Sequence, residues 1–425
     1  MTVKIQVPGS KSITHRALIL GAMSDEPTTL VNCLWAADTQ ATAKALVTLG
    51  ARIETTAEGH LRIVGPMKAA GPDVTINCEN SGTTLRLLLA QVARLERSVL
   101  LDGDDSLRGR PNEPLIRSLV GFGAQLECND GHAPIRVTGP LRAGVGEIDC
   151  RLSSQYASAL LMALPLLRGP SELTIPKPLV SRPYVGVTES LLRAFGVSFE
   201  LAETEEHFRY AMPGGQRPNR PSFSVEGDWS TAAFPTIAAL LMKTEVRLLG
   251  LNAASLQADR QLLEIVRRFG HCAQWEQADC VIKPMAWRCP GVVDLGQCPD
   301  LFPALAVLAS RGHGLCQLRG APQLRHKESD RISLMVAGLR AMGVDVEEYA
   351  DGIGVVGGQS VSGATIDSEG DHRVLMAFEV LNAALEETLT VSHGGAEEVS
   401  YPNFFADLSL FGNESTCKQA EGGLD

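Results

Sequence analysis

Residues 46–54 read Leu46-Val47-Thr48-Leu49-Gly50-Ala51-Arg52-Ile53-Glu54. This stretch combines the apolar end of a helix, a glycine and the start of a short strand. A glycine just past a helix end adopts the left-handed conformation easily, so the helix stops there and a strand can follow. The same pattern returns around Gly123, Gly196, Gly270, Gly343 and Gly412, at steps of 73, 73, 74, 73 and 69 residues. Six units of nearly one length predict an internally repeated fold.

Each unit also carries a second, more apolar helix. A helix that is apolar on nearly every face is buried, whereas the helix before each glycine is amphipathic. Short alternating strands, such as residues 61–64 and 135–138, lie between the helices. A chain of 425 residues exceeds what one core usually supports, so we expect an α/β protein with two domains of three units each. The second helices are predicted to begin near Ser12, Ser81, Ser154, Ser230, Asp300 and Asp371.

Composition excludes several classes of protein. A net charge of −11 argues against a surface that coats nucleic acid. No apolar run is long enough to span a bilayer, and the first residues do not resemble a signal peptide. The ten cysteines are scattered, without Cys-x-x-Cys or zinc-ligand spacing. We therefore expect a cytoplasmic protein that has neither a nucleic acid nor a membrane as its partner.

Polar residues concentrate where the second helices begin. Lys11 and Arg16 flank the start of the first one, where free N–H groups and the helix dipole attract an anion, and Ser10 or Ser12 is the predicted N-cap. If the units are related by symmetry, the starts of three such helices in each domain converge on a cleft. The first half of the chain brings hydroxyls and cations to these starts, and the second half brings acids. We therefore expect one half to bind an anionic molecule and the other to supply acid–base groups.

Two further charged stretches contain cations that could bind an anion. Arg325 and Lys327 oppose the dipole of the helix expected after them, a placement that a bound anion would explain. Arg182 precedes a Pro at a helical first turn, where its side chain could bind a carboxylate or phosphate, or form a surface ion pair.

Seven short blocks together resemble the 5-enolpyruvylshikimate-3-phosphate (EPSP) synthase family. They occur in the family's order, and the resemblance runs from residue 8 to about residue 405. The most specific block is Lys327-Glu328-Ser329-Asp330-Arg331. The others are Pro8-Gly9-Ser10-Lys11-Ser12, Asn80-Ser81-Gly82-Thr83, Arg110-Pro111, Ser153-Ser154-Gln155, Ser181-Arg182-Pro183-Tyr184 and Asp371-His372-Arg373.

The resemblance implies a two-domain inside-out α/β barrel, in which each domain has three βαβαββ repeats around buried parallel helices. Residues 11–225 are expected to form the domain that binds shikimate 3-phosphate. Residues 1–10 with 226–425 are expected to form the domain that supplies acid–base groups and binds phosphoenolpyruvate. The active site is expected in the interdomain cleft of a cytoplasmic monomer of the shikimate pathway, which leads to chorismate and aromatic amino acids.

The implied reaction transfers the enolpyruvyl group of phosphoenolpyruvate to the 5-hydroxyl of shikimate 3-phosphate and releases phosphate, through a tetrahedral intermediate. Neither a metal nor a cofactor is expected, because guanidinium and ammonium groups neutralise the phosphates. The expected catalytic residues are Asp300, Glu328, Lys11 and His372. Shikimate 3-phosphate is expected to contact Lys11, Ser12, Arg16, Ser153, Ser154, Gln155, Tyr184, Asp300, Gln323 and Lys327. Phosphoenolpyruvate is expected to contact Lys11, Gly82, Arg110, Gln155, Glu328, Arg331, His372 and Arg373.

The sequence departs from the family pattern at four places. Val399 stands where many members have a Lys, which predicts weaker binding of phosphoenolpyruvate. Gln323 stands in place of an Asn, Glu79 in place of a Gly, and Gly186 in place of an acidic residue.

Two other functions stay open on the sequence. The sister family, UDP-N-acetylglucosamine enolpyruvyl transferase, has a nucleophilic Cys where this chain has Asp105. A non-catalytic paralogue that binds a phosphorylated metabolite would fit the missing Lys, but Glu328, Asp300 and His372 are retained. The sequence also leaves open whether Glu328, Asp300 or Lys11 performs each proton transfer.

Overall fold

The computed structural model describes residues 2–57, 59–67, 73–385 and 388–412. Its helices are α1 (Lys11–Ala22), α2 (Ala37–Thr48), α3 (Gly82–Val92), α4 (Asp105–Arg108), α5 (Glu113–Gly121), α6 (Gln155–Ala163), α7 (Arg182–Ala194), α8 (Trp229–Leu241), α9 (Leu262–Arg268), α10 (Phe302–Arg311), α11 (Arg331–Ala341), α12 (His372–Ala384) and α13 (Phe404–Ser409). Short 3₁₀ turns lie at Leu164–Leu166, Ala258–Gln261, Pro299–Leu301, Pro322–His326 and Ala396–Val399.

The strands are short and fall between the helices in the predicted manner. They are β1 (Thr2–Gln6), β2 (Thr28–Val31), β3 (Arg52–Ala57), β4 (His60–Val64), β5 (Asp73–Asn77), β6 (Ser98–Asp102), β7 (Gln125–Asn129), β8 (His132–Thr138), β9 (Val145–Glu147), β10 (Ser171–Pro176), β11 (Glu200–Glu203), β12 (His207–Met212), β13 (Ser222–Ser224), β14 (Glu245–Leu249), β15 (Cys272–Glu276), β16 (Asp279–Lys283), β17 (Val292–Asp294), β18 (Gly314–Arg319), β19 (Val346–Tyr349), β20 (Gly352–Gly357), β21 (Ala364–Ile366) and β22 (Leu389–Val391).

The chain folds into two compact units. The N-terminal unit is Gly9–Glu226, and the C-terminal unit combines the residues up to Pro8 with the chain from Gly227 onward. Each crossing is held within its own unit by a backbone hydrogen bond. The N–H of Ser10 donates to the carbonyl of Glu226 at 2.8 Å, and the N–H of Asp228 donates to the carbonyl of Pro8 at 2.9 Å.

The sheets repeat one plan, in which a parallel pair of strands is extended by an antiparallel hairpin. In the N-terminal unit the strand orders are β13-β2-β4-β3, β5-β6-β8-β7 and β9-β10-β12-β11. The C-terminal unit has β1-β14-β16-β15 and β17-β18-β20-β19, followed by the parallel pair β21-β22. The α/β repeat fold predicted from the sequence is confirmed.

Five of the six predicted helix-ending glycines have the expected conformation. Their φ angles are +94° at Gly50, +95° at Gly123, +78° at Gly196, +95° at Gly270 and +86° at Gly343. These are left-handed values, which a residue with a Cβ adopts only with strain.

The apolar helices form the interior of each unit, as predicted. In the N-terminal unit, α1 is buried from Ile13 to Ala22, and α3 and α6 are buried along nearly their whole length. In the C-terminal unit, α8, α10 and α12 are buried in the same way. The amphipathic helices, such as α5 and α7, bury one face only.

The starts of the buried helices are capped unequally. The side chains of Ser81, Asp228 and Asp371 accept hydrogen bonds from N–H groups in the first turns of α3, α8 and α12. Ser10 occupies the N-cap position of α1, but its side chain makes no capping hydrogen bond, and Ser12 lies inside the helix. Ser10, one of the two predicted candidates, is thus the N-cap residue of α1, but it does not cap the helix through its side chain. The first turn of α1 consequently keeps its attraction for an anion.

A glycine at the contact between α11 and α12 allows a test of this packing. A Cβ on Gly338 would lie 2.3 Å from the ring carbon Cζ of Phe378, which is fully buried. We expect Gly338→Ala to lower the free energy of unfolding by about 1–3 kcal/mol, because overpacking forces neighbouring side chains to shift. Urea denaturation followed by circular dichroism measures this.

The matched control is Gly121→Ala, another glycine within a helix. Its added Cβ would meet no atom within 4 Å. We expect no loss of stability there, or a gain of up to about 1 kcal/mol from the better helix propensity of Ala. Equal effects at the two positions would contradict the packing described for α11 and α12.

Candidate functional site

The first turn of α1 carries a paired lysine. Nζ of Lys11 lies 2.9 Å from Oδ2 of Asp38, which lies in the first turn of α2, and the two side chains are only 14% and 9% exposed. The pair fixes the ammonium group at the end of the unit where α1 begins. Sequence reasoning identified Lys11 but missed Asp38.

The side-chain amide of Gln155, the first residue of α6, is held from both sides. Its Nε2 donates to Oγ1 of Thr83 at 2.9 Å, and its Oε1 accepts from Nη1 of Arg86 at 2.9 Å. Arg86 also donates from Nε to Oδ1 of Asn112 at 3.1 Å. Because one side of the amide donates and the other accepts, its orientation is determined. These contacts also place the starts of α3 and α6 side by side.

Arg110 lies against the start of α3. Its Nη2 donates to Oδ1 of Asn80 at 2.6 Å and to Oγ of Ser106 at 3.2 Å, and the residue is 6% exposed. A Cβ on Gly82 would lie 3.0 Å from Nη1 of Arg110. The absence of a side chain at Gly82 thus lets the guanidinium come close to the uncovered N–H groups of the helix.

Arg16 is a buried cation with neutral partners. Its three nitrogens donate to Oγ1 of Thr188 at 2.7 Å, to the carbonyl of Ser12 at 2.8 Å and to Oγ of Ser158 at 3.2 Å. Among the residues that the structure describes, no carboxylate lies within ion-pair distance of Arg16. Burial lowers the pKa of Arg16 to about 10, although the nearby phenol of Tyr184 acts in the opposite direction. The guanidinium is therefore charged at neutral pH and uncompensated, which favours an anionic ligand.

The two serines before α6 complete this side of the N-terminal unit. Oγ of Ser153 accepts from the N–H of Gln155 at 3.2 Å, and Ser154 is the N-cap residue of α6, although its side chain makes no capping hydrogen bond. The carbonyl of Tyr184, in the first turn of α7, accepts from the hydroxyl of Thr188 at 3.1 Å. Thr188 also bonds to Arg16, so Tyr184 and Arg16 belong to one cluster.

Arg331 is the centre of the cluster in the C-terminal unit. It is the first residue of α11 and is 1% exposed. Its Nη1 lies 2.9 Å from Asp300, its Nη2 2.7 Å from Glu328 and its Nε 2.8 Å from Asp371. Burial by itself would lower the pKa of Arg331, but the three carboxylates outweigh it and raise the pKa. The guanidinium is therefore permanently charged and holds three acids in fixed places.

Asp300 is surrounded by cations. It lies in the 3₁₀ turn before α10, and besides Arg331 it faces Nζ of Lys327 at 3.4 Å and Nη2 of Arg373 at 3.6 Å. Burial by itself would raise the pKa of Asp300, but Arg373, Lys327 and Arg331 together lower it well below its usual range. Asp300 is therefore ionised at neutral pH and able to accept a proton.

Asp371 connects the starts of α11 and α12. Its Oδ1 accepts from the N–H of Arg373 at 2.9 Å, and its Oδ2 accepts from the hydroxyl of Ser329 at 3.0 Å. His372 is the first residue of α12 and is 1% exposed. The side-chain amide of Gln323 donates to the carbonyl of Gly296 at 3.2 Å. The C-terminal unit thus brings Asp300, Lys327, Glu328, Arg331 and Arg373 into one cluster.

Two arginines that the sequence offered as possible anion ligands are paired with carboxylates of the protein. Arg325 lies in a 3₁₀ turn ahead of α11 and pairs with Asp330 at 2.8 Å and Glu348 at 3.0 Å, so these carboxylates explain its position and a bound anion is not needed. Arg182 pairs with Glu189 of its own helix at 2.8 Å. Of the alternatives open for Arg182, the structure has the ion pair.

A signal for the missed Asp38 is present in the repeat. Asp38, Tyr184 and Arg331 each lie twelve residues before the glycine that ends their own helix, which is Gly50, Gly196 or Gly343. Aligning the repeats on their glycines therefore marks Asp38 as a counterpart of two expected site residues.

Among the described residues, no group of three or more His, Cys, Asp or Glu side chains is arranged to hold a metal ion. No helix in the described ranges is long and apolar enough to cross a membrane.

These features define an α/β repeat protein whose buried helices begin at clusters of cations, hydroxyls and carboxylates. The sequence profile of the family described as EPSP synthase (3-phosphoshikimate 1-carboxyvinyltransferase) matches residues 1–408. The chain belongs to this family, which confirms the resemblance seen in the sequence.

Individual relatives agree over nearly the whole chain. Proteins named 3-phosphoshikimate 1-carboxyvinyltransferase from Methanocorpusculum labreanum and Methanococcoides burtonii are 38% and 35% identical over 412 residues. The matches cover 96% of this chain in both cases, and 96% and 95% of the relatives. A solved structure of EPSP synthase from Acinetobacter baumannii superposes with a TM-score of 0.78 at 28% identity, covering 96% of this chain and 95% of that one. The superposition covers nearly the whole of both chains, so it supports the fold class implied by the family.

The cluster around Arg331 predicts a large dependence of stability on one side chain. We expect Arg331→Met to lower the free energy of unfolding by about 3–5 kcal/mol, because buried carboxylates lose their counter-charge. The matched control is Arg117→Met, which removes an exposed ion pair with Glu113 at 3.2 Å. Its expected cost is about 1 kcal/mol or less. Equal losses in urea denaturation would contradict the central role of Arg331.

Proposed function

We propose that this protein transfers the enolpyruvyl group of phosphoenolpyruvate to the 5-hydroxyl of shikimate 3-phosphate, with release of phosphate. The observation that carries the proposal is that Asp300 and Glu328 both pair with the buried guanidinium of Arg331. Addition to an enol phosphate followed by elimination of phosphate needs a group that takes a proton and a group that gives one, held at fixed positions. Membership of the family points to this reaction. We further propose that the protein acts as a cytoplasmic monomer.

The N-terminal unit is suited to the phosphorylated acceptor. The uncompensated cation of Arg16 and the hydroxyls of Ser12, Ser153 and Ser154 offer a charge and several donors to a phosphate or carbinol group. Gln155 presents an amide of determined orientation, and Tyr184 adds a phenol beside Arg16. We assign these residues, with Lys11, Asp300, Gln323 and Lys327, to the binding of shikimate 3-phosphate.

The second substrate carries both a phosphate and a carboxylate, so it needs several cations. We assign the binding of phosphoenolpyruvate to Lys11, Gly82, Arg110 and Gln155 of the N-terminal unit and to Glu328, Arg331, His372 and Arg373 of the C-terminal unit. Gly82 contributes through its backbone, because the missing side chain leaves the first turn of α3 open beside Arg110.

Asp300 is the base that we favour for the acceptor hydroxyl. Its low pKa keeps it ionised, yet the same low pKa makes it a weak base in the absence of substrates. An anion bound to Lys327 or Arg373 would partly neutralise the cations that depress this pKa, so binding would raise the basicity of Asp300. Glu328 takes up a proton from water and delivers it to the vinyl methylene, with Lys11 and His372 as assisting groups.

A phosphate-release assay with phosphoenolpyruvate and shikimate 3-phosphate tests the function. We expect turnover with this pair and none when UDP-N-acetylglucosamine replaces shikimate 3-phosphate. Glu328→Gln is expected to lower kcat by at least about 100-fold, because the amide keeps the shape but cannot give a proton. Glu348→Gln, the same change at a partly exposed pair with Arg325, is expected to leave kcat unchanged.

Each other result has a definite meaning. Turnover with the nucleotide sugar would favour the sister family, and binding of shikimate 3-phosphate without turnover would favour a non-catalytic protein. An unchanged kcat in Glu328→Gln would remove Glu328 from the proton transfers.

Val399 generates a separate prediction. It ends the 3₁₀ turn Ala396–Val399 and is half-buried, at a position where many family members have a Lys. We expect Val399→Lys to lower KM for phosphoenolpyruvate by about three- to tenfold, because it adds one charged donor for the substrate's anionic groups. Val399→Met, which adds length without charge, is expected to leave this KM unchanged. An unchanged or higher KM in Val399→Lys would refute the prediction.

A further inference from the structure

Two buried contacts join α1 to α2 one helical turn apart. The outer contact is the pair of Lys11 with Asp38 at 2.9 Å. Four residues further along each helix, Nδ1 of His15 lies 2.7 Å from Oγ1 of Thr42. His15 and Thr42 are both fully buried, so this inner contact lies behind the ion pair and is shielded from solvent. The place of Lys11 relative to Asp38 therefore depends on how the inner contact holds the two helices.

The inner contact continues into α3. Oγ1 of Thr42 lies 2.6 Å from Oγ1 of Thr84, whose hydroxyl donates to Oγ of Ser81 at 2.8 Å. Oγ of Ser81 also accepts from the N–H of Thr84 at 3.2 Å, and Ser81 is the N-cap residue directly before Gly82. The four side chains His15, Thr42, Thr84 and Ser81 form one buried row, which we call the His15 row. It ends at the turn that is assigned above to phosphoenolpyruvate.

The His15 row has only one direction that satisfies its protons. Nε2 of His15 is buried and has no hydrogen-bond partner among the described residues. A proton on Nε2 would be a buried donor without an acceptor, which is more costly than an unused lone pair on that nitrogen. The proton therefore belongs on Nδ1, which donates to Thr42. Thr42 then donates to Thr84, and Thr84 donates to Oγ of Ser81 at 2.8 Å, with the carbonyl of Asp38 at 3.4 Å as a more distant second acceptor.

A neutral ring is required for this arrangement. An imidazolium would carry a second N–H, on Nε2, at a place where no acceptor lies among the residues that the structure describes. Burial, and after it the charges of Lys11 and Arg16, hold the pKa of His15 well below its usual range. The pKa and the geometry thus agree that the ring carries its single proton on Nδ1.

We propose that His15 is a positioning residue, which through the His15 row fixes Lys11, Asp38 and Gly82 relative to one another for the reaction proposed above. The imidazole contacts neither the substrates nor the reacting atoms. It acts by holding the starts of α1, α2 and α3 in the arrangement that receives the anionic groups. This inference rests on the proposed function for its consequence, but the row itself can be tested without any substrate.

Thr42→Val tests the consequence, because it removes the hydroxyl in the middle of the row and keeps the shape of the side chain. We expect KM for phosphoenolpyruvate to rise about three- to tenfold, as for the loss of one hydrogen bond that orders the binding groups. Thr42→Ser, which restores a hydroxyl, is expected to return KM to within about twofold of the starting value. The matched control is Thr28→Val, because Thr28 is fully buried in the same unit and its hydroxyl has no hydrogen-bond partner in the described ranges. Its KM is expected not to change.

Nitrogen-15 NMR of the histidine-labelled full chain tests the row directly. His15→Gln identifies the His15 signals by their loss. At neutral pH we expect a protonated, pyrrole-type Nδ1 and an unprotonated Nε2, with the Nδ1 shift altered in Thr42→Val and restored in Thr42→Ser. A proton on Nε2, or a doubly protonated ring, would overturn the proposal.

The two measurements separate the possible failures. If the starting protein shows no turnover, the proposed function fails, and the NMR signature decides the row alone. If the starting protein is active and Thr42→Val has an unchanged KM, the function stands and the positioning role of His15 is refuted. If Thr42→Val lowers the stability of the protein but leaves KM unchanged, His15 is likewise a structural residue and not a positioning residue.

Discussion

A charge buried at the start of a helix must be compensated inside the protein, and Arg331 meets this constraint for the C-terminal unit. Taking a guanidinium out of water costs several kcal/mol, and only well-placed partners return that cost. Asp300, Glu328 and Asp371 supply them at 2.7–2.9 Å. The interaction that makes the burial of Arg331 tolerable is thus the same one that sets the positions of the two carboxylates proposed for proton transfer. Stability and site geometry cannot be changed independently here.

In the N-terminal unit, only some of the buried charges have a counter-charge within the protein. Lys11 has a carboxylate partner in Asp38, whereas the partners of Arg16 are a carbonyl and two hydroxyls. Hydrogen bonds satisfy the N–H groups of Arg16, but they leave its charge without a counter-charge. An anionic ligand would supply that charge at Arg16, and it would compete with Asp38 for Lys11. This difference gives physical content to the expectation from sequence that one half of the chain binds an anion and the other supplies acids.

Features set by local sequence were predictable, and contacts between distant segments were not. The helix-ending glycines and the buried helices follow from residues that are neighbours in the chain, so Gly50 and its counterparts were identified from pattern alone. Asp38 is 27 residues from Lys11 and was missed, since no local rule pairs them. Ser10 occupies the N-cap position, as one of the two predicted candidates, but a favourable residue type does not ensure a capping hydrogen bond, and Ser10 makes none. The position of Arg325 was misread because Glu348, its partner across the fold, was not foreseeable.

The repeat explains why different chemistry can occur at equivalent places. Asp38, Tyr184 and Arg331 share one offset from the glycine that ends their helix, so the fold puts each of them in the first turn of an amphipathic helix. The side chains there are a carboxylate, a phenol and a guanidinium, and each belongs to a different cluster of contacts. Because the backbone position comes from the repeat, exchanging one residue changes the chemistry without changing the place. A repeated scaffold with non-repeated side chains at the helix starts is therefore sufficient to place a carboxylate, a phenol and a guanidinium at equivalent positions of one structural plan.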